Sequence, residues 1–123
     1  MSVAGSALTV MLGKHLFKIG RPYQYSYYYM SSFSFPSGHA TAAVAFYGVV
    51  FYLLIRNAKR LKSKFALLTT GFVLILIIGF SRMYLGVHYL SDVVGGYLLG
   101  FLWLLFSISI LLWKEDQLKR LKR

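Results

Sequence analysis

The run Pro36, Ser37, Gly38 and His39 is answered later in the chain by Ser81, Arg82, His88 and Asp92. Two imidazoles can supply a proton donor and, where a carboxylate fixes the ring tautomer, a nucleophile. Asp92 is the first acid of the chain, and only Glu115 and Asp116 follow it. It stands four residues after His88, a spacing that puts both side chains on one helix face. Arg82 carries a planar fork of donors suited to phosphate oxygens. Ser37 is a favoured N-cap type, and Gly38 lets the backbone approach a ligand closely. Free N–H groups at a helix start, aided by the positive end of the dipole, suit an anion. Lys14 and Arg21 are seven apart, so on one helix they differ by about 20° in facing, and Pro22 is expected to end that helix. Two cations on one face at a helix end form an anion clamp. A capped helix terminus with a satisfied core histidine, or snorkelling cations, would explain any single one of these residues. The complete set, in segments otherwise almost free of charge, reads as a functional site.

The elements that must position these groups are apolar. The chain of 123 residues is 58% hydrophobic and 14% charged, with a mean hydropathy of +0.61. Ala40 to Ile55, Phe65 to Phe80 and Val93 to Trp113 carry no charge at all. A membrane span needs about 20 such residues. The third run qualifies alone, and the first two qualify once their polar ends reach the interface. The expected architecture is an all-α integral membrane bundle of one domain, residues 1–123, with spans near 40–55, 65–80 and 93–113. Gly96 and Gly100 make a small-xxx-small pair for close helix packing. A partial helix is expected near 3–20, too short in its apolar part to cross.

The net charge of +11 does not point to nucleic acid. Ten of the fourteen basic residues lie in two short flanks: Arg56, Lys59, Arg60, Lys62 and Lys64, then Lys114, Lys119, Arg120, Lys122 and Arg123. That is the pattern of cytoplasmic flanks of membrane spans. The loop and the C-terminal tail are therefore expected in the cytoplasm. His39, Arg82, His88 and Asp92 then gather at the extracytoplasmic side. The segment Tyr23 to Phe35, rich in Tyr and Ser, reads as an aromatic belt rather than an entrance lining. No cysteine is present, so disulfides and cysteine-bound metals are excluded.

Three ordered patterns resemble the type 2 phosphatidic acid phosphatase (lipid phosphate phosphatase) superfamily. The first is a Lys, six residues and Arg-Pro, seen as Lys14 to Pro22. The second is Pro36 to His39. The third is Ser81-Arg82, five residues to His88 and three more to Asp92. The resemblance runs from about Lys14 to Leu112, and among small bacterial members it is nearest the phosphatidylglycerophosphate and undecaprenyl pyrophosphate phosphatases. It implies dephosphorylation of a membrane lipid phosphate or pyrophosphate, without metal or other cofactor. By the same resemblance His88 is the nucleophile that becomes a phosphohistidine, Asp92 holds it, and His39 protonates the leaving oxygen. Lys14, Arg21, Ser37, Gly38 and Arg82 would bind the phosphoryl oxygens. His15 and Lys18, within the first pattern, would face the interface. The family fold implied has six helices, so this chain is expected to be an N-terminally incomplete version, completed by further helices or by a homo-oligomer. Two other readings are a membrane subunit that keeps the patterns but depends on a partner or is inactive, and a vanadium-dependent haloperoxidase. Those haloperoxidases are soluble and larger, and the apolar composition opposes that second reading.

Overall fold

The structure is a computed structural model and describes residues 2–22, 26–27 and 32–122. Four helices follow in order: α1 (Ser2–Phe17), α2 (Gly38–Asn57), α3 (Leu61–Tyr84) and α4 (Leu90–Leu121). No strand occurs among the described residues. The last three are long and apolar enough to cross a membrane, while α1 is shorter. Each extends past its charge-free run, because backbone hydrogen bonding continues into the polar flanks. At about 1.5 Å per residue, the 32 residues of α4 reach roughly 48 Å. That exceeds a hydrocarbon layer of about 30 Å, so its basic end stands beyond the apolar zone.

The expected helix near 3–20 stops at Phe17 instead. Lys18 adopts φ 49°, the left-handed region, and its N–H donates to the Lys14 carbonyl at 3.1 Å. This single bond to the third residue from the helix end is the αL termination. The helix therefore ends well before Pro22, and Arg21 does not share a face of it with Lys14. A loop delivers Arg21 to the site.

Helix α2 is the centre of the bundle and contacts α1, α3 and α4. Its buried side chains are small, Ala40, Ala43, Val44 and Ala45, and Val93 of α4 joins them. Small residues let helix backbones approach where lipid supplies no hydrophobic drive between helices. The closest approach is at Gly96 and Gly100. A Cβ on Gly96 would lie 2.6 Å from the Ser37 carbonyl, and one on Gly100 would lie 2.6 Å from the Thr41 carbonyl. The glycine pair seats α4 on α2 as its spacing foretold. Outward faces carry large exposed apolar residues such as Leu68, Phe72, Leu98 and Phe101, as suits a lipid environment.

The ends of the bundle differ in chemistry. At one end Arg56 of α2 makes a bidentate pair with Glu115 of α4, at 2.6 and 2.9 Å. At the other, α2 starts at Gly38, α3 ends at Tyr84 and α4 starts at Leu90. Gly86, at φ 65°, makes the sharp turn that ends α3 and leads to His88. Such a φ favours glycine. Tertiary packing thus gathers residues from all four elements at one end.

Candidate active site

Asp92 occupies the first turn of α4 and is completely buried. Its Oδ2 accepts the Tyr89 backbone N–H at 2.7 Å, which secures an otherwise orphaned donor at the helix start. The same oxygen faces His88 Nδ1 at 3.4 Å and accepts a hydrogen bond from the Ser34 hydroxyl. His88 Nδ1 also lies 3.5 Å from that hydroxyl. A carboxylate beside Nδ1 places the ring proton there and leaves Nε2 with its lone pair. Nε2 lies 3.4 Å from an Arg21 terminal nitrogen. Burial pushes the His88 imidazole down to about 4, and the charges of Arg21 and Lys14 act in the same direction, against the pull of Asp92. The ring is therefore neutral and unprotonated at Nε2 near pH 7.

Arg21 is almost fully buried. Its Nε donates to the Ser32 carbonyl at 2.7 Å, and one terminal nitrogen donates to the Val87 carbonyl at 2.8 Å. The other terminal nitrogen donates to Ser32 Oγ at 2.9 Å and the Phe33 carbonyl at 3.2 Å. Lys14 Nζ donates to that same Phe33 carbonyl. Partial burial and the nearby Arg21 charge bring the Lys14 ammonium down to about 8. Lys14, Arg21, Ser32, Gly38, His39, Ala42 and His88 together line a cavity of about 330 Å³. Two imidazoles and two cations on one small cavity make a place where an anion could be held and a proton moved. Among the described residues, no three of His, Asp and Glu are grouped as a metal would need.

A family model described as the PAP2 superfamily matches residues 1–116. The chain belongs to the PAP2 superfamily. Phosphatidylglycerophosphatase B of Bacillus subtilis (strain 168) is 45% identical over 73 residues, a match covering 58% of this chain and 36% of that protein. A crystal structure described as the first transmembrane PAP2 type phosphatidylglycerolphosphate phosphatase from Bacillus subtilis is similar throughout the bundle. Its TM-score is 0.80 at 35% identity, with 92% of this chain and 56% of that chain covered. The chain thus spans only about half the length of that solved PAP2 structure. With three helices able to span and this transmembrane likeness, it is a membrane protein.

Of the PAP2 pattern residues, the fold brings Lys14, Arg21, Gly38, His39 and His88 to one cavity, with Asp92 directly behind His88. Ser37 and Arg82 are not on the cavity lining. Ser37 is the residue before α2, yet its hydroxyl makes no capping bond and has no partner among the described residues. Its backbone N–H instead donates to the Asp92 carbonyl at 3.0 Å, joining the starts of α2 and α4. Arg82 Nε donates to Ser81 Oγ at 3.1 Å, and its charge still acts on His39. Three contributors escaped the sequence reading: Ser34, and the Ser32–Phe33 backbone that holds both cations. They lie in the segment read as an aromatic belt. Residues 32–34 of it serve the site instead, because the Ser32 and Phe33 carbonyls and the Ser32 hydroxyl accept from Arg21 and Lys14, and the Ser34 hydroxyl donates to Asp92. Tyr23–Tyr25 and 28–31 of that segment lie outside the described residues.

Proposed function

We propose that this protein removes a phosphoryl group from a membrane lipid phosphate or pyrophosphate, without metal, through a phosphohistidine. The observation that carries this reading is His88: Nδ1 3.4 Å from Asp92, Nε2 3.4 Å from Arg21, on a cavity shared with Lys14, Gly38 and His39. The likeness, in sequence and in structure, to Bacillus subtilis phosphatidylglycerophosphate phosphatase favours the same substrate class. The lone pair of Nε2 attacks phosphorus, and the bond from phosphorus to the leaving oxygen breaks. His39 gives its proton to that oxygen, a contribution of about 10²- to 10⁴-fold for a positioned acid. Water then attacks the phosphorus of the phosphohistidine while His39 takes up its proton. The N–P bond breaks, its electron pair returns to Nε2, and inorganic phosphate leaves.

Lys14, Arg21 and the Gly38 backbone stabilise charge spread over the phosphoryl oxygens, the work a metal would otherwise do. Arg82, whose charge acts on His39, and Ser37, which joins α2 to α4, complete this cradle. The basic ends at Arg56–Lys64 and the tail face the cytoplasm, and the cavity opens on the opposite side.

Phosphate release is to be measured across a panel of lipid phosphates in detergent with excess chelator, alongside rapid-quench trapping of an acid-labile phosphoenzyme. Activity should survive chelator, and His88→Ala should abolish the trapped species. His39→Ala should slow turnover yet still let a substrate with a good leaving group label His88. A phosphoenzyme that persists in His88→Ala and vanishes in His39→Ala would reverse the two assignments.

A further inference from the structure

Ser34 has no part in the patterns that identify the site, yet it is completely buried at the site's most constrained point. Its hydroxyl donates to Asp92 Oδ2, the oxygen that also takes the Tyr89 N–H and faces His88 Nδ1. The other carboxylate oxygen, Oδ1, is buried and has no partner among the described residues. All the described donors to this carboxylate therefore converge on one oxygen. A carboxylate held on one side only can swing about its last torsion unless each donor keeps it in place. The Tyr89 N–H alone would hold one oxygen, but it would not set which way the plane of the carboxylate faces the imidazole. A second donor, from a separate loop, does.

Ser34 is itself anchored from two directions. Its backbone N–H donates to the Ile19 carbonyl at 2.8 Å. The two residues before it, Ser32 and Phe33, bind Arg21 and Lys14. One short strap thus holds the cations on one side of His88 and the carboxylate on the other. We infer that Ser34 is a positioning residue of the phosphoryl-transfer site, orienting the Asp92 carboxylate so that Oδ2 fixes the His88 tautomer. Its kinetic consequence rests on the phosphatase reading above, while its structural consequence does not.

Ser34→Ala deletes the hydroxyl with little change of volume. A hydrogen bond to a buried charge is worth enough that kcat should fall about 10- to 100-fold, with KM held within about twofold. Ser34→Thr, which restores the hydroxyl, should recover most of that loss. Because Ser34 acts through Asp92, adding Ser34→Ala to Asp92→Asn should cost less than about twofold further. Losses that multiply in the double variant would overturn the inference. The second arm is ¹⁵N NMR of histidine-labelled full chain in detergent, with His88 assigned by its loss in His88→Asn. Wild type should show His88 protonated at Nδ1, and Ser34→Ala should raise the share protonated at Nε2. An unchanged His88 tautomer in Ser34→Ala would overturn the inference whatever the kinetics. Should wild type release no phosphate from any lipid phosphate, the phosphatase reading falls and the NMR arm still decides Ser34.

Discussion

Asp92→Asn is the perturbation whose size follows most directly from the geometry. Asp92 Oδ2 lies 3.4 Å from His88 Nδ1. At an effective dielectric near 20, a full charge on each at that distance interacts by roughly 5 kcal/mol. The attacking imidazole carries only part of a positive charge in the transition state, and two further donors share the same oxygen. About 2–4 kcal/mol of differential stabilisation then remains, or about 30- to 1,000-fold in kcat. The amide keeps an acceptor, and the converging Ser34 and Tyr89 donors require its oxygen at the Oδ2 position. Its NH₂ must then occupy the buried Oδ1 position, where the carboxylate oxygen has no hydrogen-bond partner among the described residues. A buried donor that finds no acceptor there costs about 1–3 kcal/mol of stability, so kcat is to be normalised to folded protein. Steady-state phosphate release, with KM measured separately, is the assay. The expected result is a large loss in kcat and little change in KM. A variant within about threefold of wild type in kcat, or one whose loss falls wholly on KM, would refute the electrostatic role given to Asp92.

His88, held down to about 4 from its usual 6.5, should remain neutral at pH 5 in the folded protein, as a histidine NMR titration would reveal. An unfolded chain takes up that proton near 6.5, so His88 contributes nothing above 6.5, and stability declines as pH falls from there towards about 4. A folded-state titration midpoint near 6.5 would contradict both statements. Gly96→Ala should lower the apparent melting temperature, since its Cβ meets the Ser37 carbonyl at 2.6 Å and overpacking costs about 1–3 kcal/mol. Gly20→Ala, with nothing within 4 Å of the added carbon, is the control and should melt with wild type. A cysteine at Ser63, in the basic end of the bundle, should resist an impermeant thiol reagent in intact cells, and its labelling from outside would invert the orientation.

Much was legible in the sequence because the membrane imposes few solutions. Charge-free runs of near-span length gave three helices, and the lone carboxylate four residues after a histidine gave the His88–Asp92 pair. Both signals are local: one is a matter of length, the other of nearness in sequence, although His88 lies in the turn before α4, so the pair closes across the helix start and not along a shared helix face. Gly96 and Gly100 were legible for the same reason, since their spacing alone puts them on one face. What the tertiary structure decided concerns partners far apart in the chain. Arg21 reaches Val87 across 66 positions, and Ser34 reaches Asp92 across 58. No periodicity marks a hydroxyl or a backbone carbonyl that becomes the nearest acceptor only after packing. The end of α1 was likewise hidden, because a left-handed Lys18 leaves no mark in residue type, whereas Pro22 does. Residue identities named the groups proposed to react. Which of them line one cavity, and that Ser37 and Arg82 are not among its lining residues, was set by tertiary packing.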